Sequence, residues 1–353
     1  MARWVSSIPI SIEDPQVPPR CSSLRYAVQV GTDIWIIHTF QKQLSEPYEV
    51  EMHVFKSETQ HVLNVDCTYP ADFAHLVNSV VSSDSHIYFW IDDHTQTQRF
   101  TNLHRLYKFD TTTLEWELVL DFYCYFLHWE SAIINDSIFV LNVDKISGKL
   151  FLIKFSLTEK RRTMLQRISE SWEYHLMLYK DQLYLMVYYD DKIIVSKIDD
   201  GGKLIELGTE LFRTCSISKW RNGLCFWENS ATRESSQLYL SKFDFLRTNW
   251  ERQWIGPTLP YHDQIRVVDI FNINDRIYTI CRKHDRQYTN MFVCTLELQP
   301  KLSSICMWNM VDELFGRNQL EDVEIIKHQL IPELRVQLGG LINWRRLSSM
   351  PIE

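Results

Sequence analysis

The chain is 353 residues long, with 45% hydrophobic and 23% charged residues, the balance of a globular protein with a sizeable core. A disordered, collagen-like or low-complexity chain is excluded, because aromatic residues make up 13% and there are only 10 Gly and 11 Pro. The formal net charge of −8 at pH 7 argues against a protein that binds nucleic-acid phosphates and favours a basic partner instead.

We expect no secretory signal at the N-terminus, since its short apolar stretch is interrupted by Pro9 and followed by acidic residues. No run of apolar residues approaches the roughly 18 that a membrane-spanning helix needs. None of the eight cysteines forms a CxxC pair, so neither a zinc ribbon nor a thioredoxin-type motif is indicated. We therefore expect a cytoplasmic or nuclear protein without a metal or cofactor.

A strand–turn–strand unit recurs along the chain. In each copy, a polar turn leads into a strand that begins with an aliphatic residue and usually continues with an aromatic one. These aliphatic anchors are 41 to 53 residues apart: Ile34, Ile87, Ile138, Leu183, Leu224 and Ile277. Asp, Asn and Gly in the turns supply side-chain hydrogen bonds or positive φ angles, and the apolar strands suit burial between neighbouring sheets.

Six copies of a four-strand unit at this spacing are typical of a β-propeller. We predict an all-β propeller of six blades over residues 1–299, with seven blades as the alternative. The sixth unit lacks a fourth strand of its own, and residues 4–12 could supply it from the N-terminus and so remove an exposed edge. A pair of β-sandwiches is the main structural alternative, which the regular period disfavours.

Two units with a Trp in the closing strand resemble kelch repeats: LYKFDTTTLEWELV at 106–119 and LYLSKFDFLRTNWERQW at 238–254. The double glycine that follows the second strand in that family is absent throughout, and so are WD dipeptides. The resemblance therefore implies a kelch-like or WD-like propeller that departs from both repeat signatures.

After Pro300 the apolar residues change to helical spacing. The first predicted helix places four residues on one face: Leu302, Ile305, Cys306 and Met310. A second carries Leu320, Val323, Ile326 and Leu330. Pro332 opens a third segment with Leu334 and Leu338, since Pro is tolerated in a first helical turn. The sequence predicts a small helical appendage over residues 300–353.

This appendage resembles a SOCS box, the module that recruits elongin B and elongin C together with a cullin. The first motif of that family is a Leu, a Cys four residues later and an aliphatic residue four further on, and it matches Leu302, Cys306 and Met310 in residues 302–310. The second motif is an aliphatic–Pro pair with Leu two and six residues after the proline. It matches residues 331–338. The first motif shows one departure: Lys301 precedes Leu302, where the family usually has a small polar residue or Pro.

The resemblance implies a substrate receptor of a cullin-RING ubiquitin ligase, with no catalysis by this chain. Elongin C would bind Leu302, Ile305, Cys306 and Met310, and the cullin would bind Ile331, Pro332, Leu334 and Leu338. Leu334 stands where a cullin-5-type box usually has a second proline, which favours cullin-2. The combination is similar to nematode SOCS-box receptors, and this implies a basic CCCH zinc-finger protein as one candidate substrate.

Two other functions remain open. The chain could be a non-ligase kelch-like scaffold whose tail serves only as packing for the last blade. Residues 307–311, around Trp308, could also form the closing strand of the sixth blade, with the rest as a tail. The chain could also be an enzyme with an active site in the central pore, although no GxSxG, HExxH, GxxxxGK[ST] or GxGxxG motif is present. That alternative predicts acids or histidines converging at the pore.

A substrate would meet the end of the propeller where the chain enters each blade. Four aromatic residues near this end are candidates for the binding surface, with packing between blades as the alternative: Tyr125, Trp129, Trp172 and Tyr174. Acidic residues expected in loops would suit a Lys/Arg-rich partner: Asp92, Asp93, Asp190, Asp191 and Glu228.

Overall fold

The computed structural model describes most of the chain up to Glu297. The described residues are 3–10, 24–40, 49–70, 76–83, 85–98, 101–124, 126–144, 150–159, 161–168, 173–189, 192–199, 203–210, 214–220, 223–231, 236–245, 247–254, 265–274, 276–284 and 289–297. The predicted helical appendage, with every proposed elongin-binding and cullin-binding residue, lies outside them.

The described residues form six four-stranded antiparallel sheets. The chain begins with β1 (Arg3–Ile10), which joins the last sheet. Sheet 1 is β2 (Leu24–Val30), β3 (Asp33–Phe40), β4 (Glu49–Lys56) and β5 (His61–Asn64). Sheet 2 is β6 (Leu76–Ser82), β7 (His86–Gln98), β8 (Thr101–Asp110) and β9 (Trp116–Cys124). Sheet 3 is β10 (Phe126–Ile134), β11 (Ser137–Asp144), β12 (Leu150–Ser156) and β13 (Arg161–Ile168).

The other three sheets repeat this order. Sheet 4 is β14 (Glu173–Tyr179), β15 (Gln182–Tyr189), β16 (Lys192–Ile198) and β17 (Leu204–Glu210). Sheet 5 is β18 (Thr214–Trp220), β19 (Gly223–Ala231), β20 (Ser236–Asp244) and β21 (Asn249–Trp254). Sheet 6 is β22 (Ile265–Ile273), β23 (Arg276–His284) and β24 (Thr289–Glu297), with β1 in the fourth place.

Neighbouring sheets pack face to face, and each buried apolar cluster joins two consecutive sheets. Ile87 and Phe89 of sheet 2 lie in one cluster with Trp35 of sheet 1, and Leu224 of sheet 5 lies in another with Met186 of sheet 4. A further cluster joins sheet 6 to sheet 1, so the succession of sheets returns to its start. This arrangement is an all-β, propeller-like fold. Among the described residues, no helix is long and apolar enough to cross a membrane.

The N-terminal strand completes the last sheet. β24 pairs with β23 along one edge and with β1 along the other, in an antiparallel register that includes Ile8 opposite Val293. β1 overlaps residues 4–12, the segment that the sequence indicates as a source of the missing strand. Ile10 is only 3% exposed and packs with Ile34 and Tyr278 between sheets 6 and 1.

Tight turns join the strands at one end of the sheets. The turns between first and second strands contain positive φ angles at Gly31, Asn135, Asp181 and Asn274, as expected for these residue types. In sheets 2 and 5, the turn between the third and fourth strands is capped by the aspartate that ends the third strand. Asp110 accepts hydrogen bonds from the backbone N–H groups of Thr112 and Thr113, and Asp244 accepts one from Arg247.

The fourth strands of four sheets share a β-bulge with an aliphatic residue in the unpaired position: Val5, Val119, Leu165 and Leu207. A bulge inserts one extra residue into the strand, so the side chain of that residue departs from the regular alternation between the two faces of the sheet. Val119, Leu165 and Leu207 each pack against the cluster between their own sheet and the next one. The bulge thus adds an apolar contact to a strand that would otherwise present polar residues at the edge.

Three acidic residues predicted in loops lie in strands instead. Asp92 and Asp93 belong to β7 and Glu228 belongs to β19, because both second strands extend past the apolar runs that marked them in the sequence. Their partners in β8 and β20 continue the hydrogen-bonded ladder as far as these residues, which explains the extension. Asp190 and Asp191 lie outside the described residues.

Closure of the ring makes the protein sensitive to β1. We expect Ile10→Ala to lower the free energy of unfolding by about 2–4 kcal/mol, because it leaves a cavity between sheets 6 and 1. Chemical denaturation followed by tryptophan fluorescence measures this change. Ile205→Ala is the matched control, since Ile205 is 44% exposed and its loss should cost no more than about 0.5 kcal/mol. Equal effects of the two substitutions would contradict a structural role for β1.

Candidate functional site

The first strand of each sheet lies innermost. These strands contact one another from sheet to sheet: β2 with β6, β6 with β10, β10 with β14, β18 with β22, and β22 with β2. Sheets 4 and 5 meet through the cluster around Tyr184, Met186 and Phe243. The inner strands therefore surround the axis of the fold, where a propeller has its central channel.

One register of the inner strands is polar in all six sheets. In each sheet, the residue eight positions before the aliphatic anchor pairs with the residue three positions after it. We call the six residues at this level the polar register: Tyr26, Ser79, Glu130, His175, Ser216 and Asp269. At the next level along the strands, only Ser131 is polar among Ala27, Val80, Ser131, Leu176, Ile217 and Ile270.

β-Bulges set the level of the polar register. Asn78, Cys215 and Val268 are the unpaired residues of bulges in β6, β18 and β22. Each of these residues stands nine positions before its anchor, the position that Trp129 and Tyr174 of the predicted binding surface occupy in sheets 3 and 4. The regular ladder begins one residue later, so a search at eight positions would have found the polar residues.

Polar contacts cross between neighbouring inner strands. The Tyr26 hydroxyl donates a hydrogen bond to the backbone carbonyl of Val77 over 2.6 Å, joining sheets 1 and 2. The Ser79 and Ser131 hydroxyl oxygens are 3.4 Å apart between sheets 2 and 3. Ser82 donates to the carbonyl of Gln29 over 2.7 Å. Since these contacts satisfy polar groups at close-packed junctions, they hold the inner strands at fixed positions.

Glu130 and His175 form a pair across sheets 3 and 4. A Glu130 carboxylate oxygen lies 3.5 Å from Nδ1 of His175, and the two side chains are 38% and 47% exposed. The pair therefore lies at the inner strands and is open to solvent. An exposed pair of this kind contributes at most about 1 kcal/mol to stability.

Glu130 influences the pKa values of two tyrosines, one in sheet 1 and one in sheet 4. Burial, with a smaller contribution from the Glu130 charge, raises the pKa of Tyr174 to about 12. The same two causes, in the same order, raise the pKa of the Tyr26 hydroxyl above its ordinary value. Both phenols are therefore neutral at physiological pH, and Glu130 places a negative charge near rings from sheets 1 and 4.

Two of the four aromatic candidates from the sequence, Trp129 and Tyr174, lie among the described residues. Tyr174 is partly buried and packs against the cluster between sheets 3 and 4, next to His175 in β14. Trp129 begins the regular ladder of β10 opposite Asn142. Tyr125 and Trp172 lie outside the described residues, so the four-residue surface stays a prediction. In the described part of the chain, no group of three or more His, Cys, Asp and Glu side chains could hold a metal ion.

No protein-family model matches the sequence, and no curated protein matches it either. Among solved structures, the chain is similar to one described as "The beta-propeller domain of the Trilobed protease from Pyrococcus furiosus reveals an open velcro topology". The two share 11% sequence identity, and the match covers 78% of this chain and 81% of that one at a TM-score of 0.44.

Tyr174 makes stability depend on alkaline pH. Its pKa is about 12 in the folded protein and about 10 in an unfolded chain, so folding favours the protonated phenol. The resulting stabilisation is complete below about pH 10 and is lost as the pH rises towards 12. Between pH 9 and 11, we expect the wild type to lose on the order of 1 kcal/mol more than Tyr174→Phe does.

Urea unfolding of both proteins at pH 7, 9 and 11 checks this expectation. The difference between them should be the same at pH 7 and pH 9, which serves as the internal control. An unchanged difference at pH 11 would show that the Tyr174 phenol is not protected from ionisation.

Proposed function

We propose that this chain is the substrate receptor of an elongin–cullin ubiquitin ligase. In this proposal, the propeller-like domain binds a protein substrate, and residues 300–353 dock to elongin C and to a cullin. The chain itself performs no catalysis. Its contribution is to raise the effective concentration of substrate lysines near the ubiquitin-loaded enzyme that the RING subunit recruits.

The pairing of β24 is the observation that best supports this division of labour. β24 is hydrogen-bonded to β23 on one edge and to β1 on the other, so sheet 6 has four strands without any residue from beyond Glu297. The alternative in which residues 307–311 form the closing strand required that place. With the place occupied by β1, residues 300–353 are not needed to complete the sheet, which favours a separate docking role.

The two motifs explain how docking would occur. An amphipathic helix that lays its apolar face in a groove uses residues three and four apart as anchors. Leu302 would insert into a pocket on elongin C, where burial of one Leu contributes about 1.5–3 kcal/mol. Cys306 would pack one turn later, where a small side chain is required. The segment at Ile331 and Pro332 would contact the cullin, with cullin-2 favoured over cullin-5 by Leu334.

One observation favours the enzyme alternative. It predicts acids and histidines converging at the pore, and Glu130 and His175 form such a pair at the inner strands. A carboxylate beside an imidazole can orient a general base. The sequence carries none of the GxSxG, HExxH, GxxxxGK[ST] or GxGxxG motifs, so binding remains the function that we propose.

Loss of the first motif should abolish ligase assembly. We expect the wild type to co-purify with elongin B and elongin C, and the double variant Leu302→Ser/Cys306→Phe to lose both, because it removes the anchor and fills the space for the small side chain. Ser303→Ala is the matched control within the same segment and should keep the complex. Circular dichroism and thermal unfolding of all three proteins show whether the propeller is intact.

A well-folded wild type that binds neither elongin would contradict the proposal. Truncation after residue 299 then separates the alternatives. A receptor stays folded without its docking segment, whereas a scaffold whose tail packs on the last blade loses stability.

The second motif should act separately from the first. We expect Ile331→Asp/Pro332→Ala to keep elongin B and elongin C and to lose the cullin, because the two contacts are made by different segments. Pull-down with purified cullin-2 and cullin-5 measures the loss and the preference between them. Stronger binding of cullin-5 to the wild type would show that Leu334 does not select cullin-2.

A further inference from the structure

The polar register differs from every other level of the inner strands in its chemistry. It holds two carboxylates, an imidazole and a phenol on strands from sheets 1, 3, 4 and 6: Tyr26, Glu130, His175 and Asp269. The preceding level along the strands, nine positions before the anchors, contributes the cation Arg25 and no acid. The two levels together therefore contain two acidic residues, Glu130 and Asp269, and one residue with a permanent positive charge, Arg25.

We propose that Glu130, beside His175 on the inner strands, binds a Lys or Arg side chain of the protein substrate at the central channel. This inference rests on the receptor function proposed above and names the chemistry by which the propeller selects its substrate. Sequence reasoning named Tyr174 among its aromatic candidates but looked for the acids in loops and did not identify Glu130.

The exposure and contacts of Glu130 support the proposal. Its side chain is 38% exposed and faces His175 at 3.5 Å, so an incoming cation can reach the carboxylate. It also lies on an inner strand that is held in place by the Ser79–Ser131 contact. A carboxylate on a rigid strand loses little conformational freedom when a cation binds, and this favours affinity.

The two tyrosines add a preference for cations. A guanidinium or ammonium near an aromatic face is attracted by the negative charge distribution of the ring. Tyr26 is fixed by its hydrogen bond to the carbonyl of Val77, and Tyr174 is fixed by packing between sheets 3 and 4. The phenol rings that sense the charge of Glu130 therefore come from sheet 4, next to the sheet that carries it, and from sheet 1, two sheets away.

Several acids in the turns at the opposite end of the sheets have donors of their own. Asp33 accepts a hydrogen bond from Lys56, Asp136 from Thr158, and Asp110 from the backbone of its own turn. These carboxylates fix the turns. Glu130 differs from them because it lies on an inner strand, beside an imidazole and open to solvent.

Short fluorescein-labelled Gly-Ser peptides with a central run of three arginines test the proposal. The matched probe carries three citrullines, which keep the shape and hydrogen-bonding groups of arginine without its charge. We expect the full-length wild type to bind the arginine peptide about tenfold more tightly than the citrulline peptide in fluorescence anisotropy titrations. In Glu130→Gln, the two peptides should bind equally.

Glu58→Gln is the control variant, because Glu58 is an exposed acid in the turn between β4 and β5 at the other end of sheet 1. It removes the same charge from the protein and should keep the tenfold preference. A second variant, His175→Lys, places an ammonium beside Glu130 and should also abolish the preference. Because His175 is 47% exposed, this substitution provides a test even if Glu130→Gln fails to fold.

Three outcomes would overturn the inference: equal binding of both peptides to the wild type, an unchanged preference in Glu130→Gln or His175→Lys, or loss of the preference in Glu58→Gln. Co-purification with elongin B and elongin C is measured on the same preparations. An elongin complex without cation preference refutes only the substrate chemistry. Cation preference without an elongin complex refutes only the ligase role.

Discussion

A four-stranded sheet of this kind has two apolar faces, and it cannot bury both by itself. Each sheet therefore needs a neighbour on either side, and sheets 1 and 6 need each other. The cluster that contains Ile10, Ile34 and Tyr278 meets this requirement, and β1 contributes both to that cluster and to the hydrogen-bonded edge of β24. All other interfaces can form between sheets that are consecutive in the chain. This one requires the two ends of a segment of nearly three hundred residues to meet.

The same arrangement determines where function can lie. Since the sheets pack through their faces, their inner edges surround the axis, and polar groups there are not needed for the apolar interfaces. Glu130 and His175 occupy that position, with tyrosines from sheets 1 and 4 near them. The turns at the other end use their aspartates internally, as Asp110 and Asp244 do. The fold thus separates acids that stabilise turns from an acid that faces solvent at the axis.

Much of the architecture could be read from local patterns. Six anchors with polar turns before them identify the second strand of each sheet, and the structure shows the all-β, propeller-like fold that they predict. Strand ends were harder to place. Asp92, Asp93 and Glu228 were expected in loops, because charged residues usually end a buried strand, yet the ladder with β8 and β20 extends to them. Pairing with a neighbouring strand, which composition does not reveal, decided those boundaries.

The sequence by itself determined the repeating unit, its polar turns and the apolar residues between sheets, because these depend on neighbours a few positions away. The level at which inner-strand residues face one another was decided only by the tertiary structure. The unpaired residues Asn78, Cys215 and Val268 shift three of the ladders, and a bulge has no signature that fixes its position in a single sequence. Glu130 and His175 are 45 residues apart in the chain, and only the packing of sheet 3 on sheet 4 brings them within 3.5 Å.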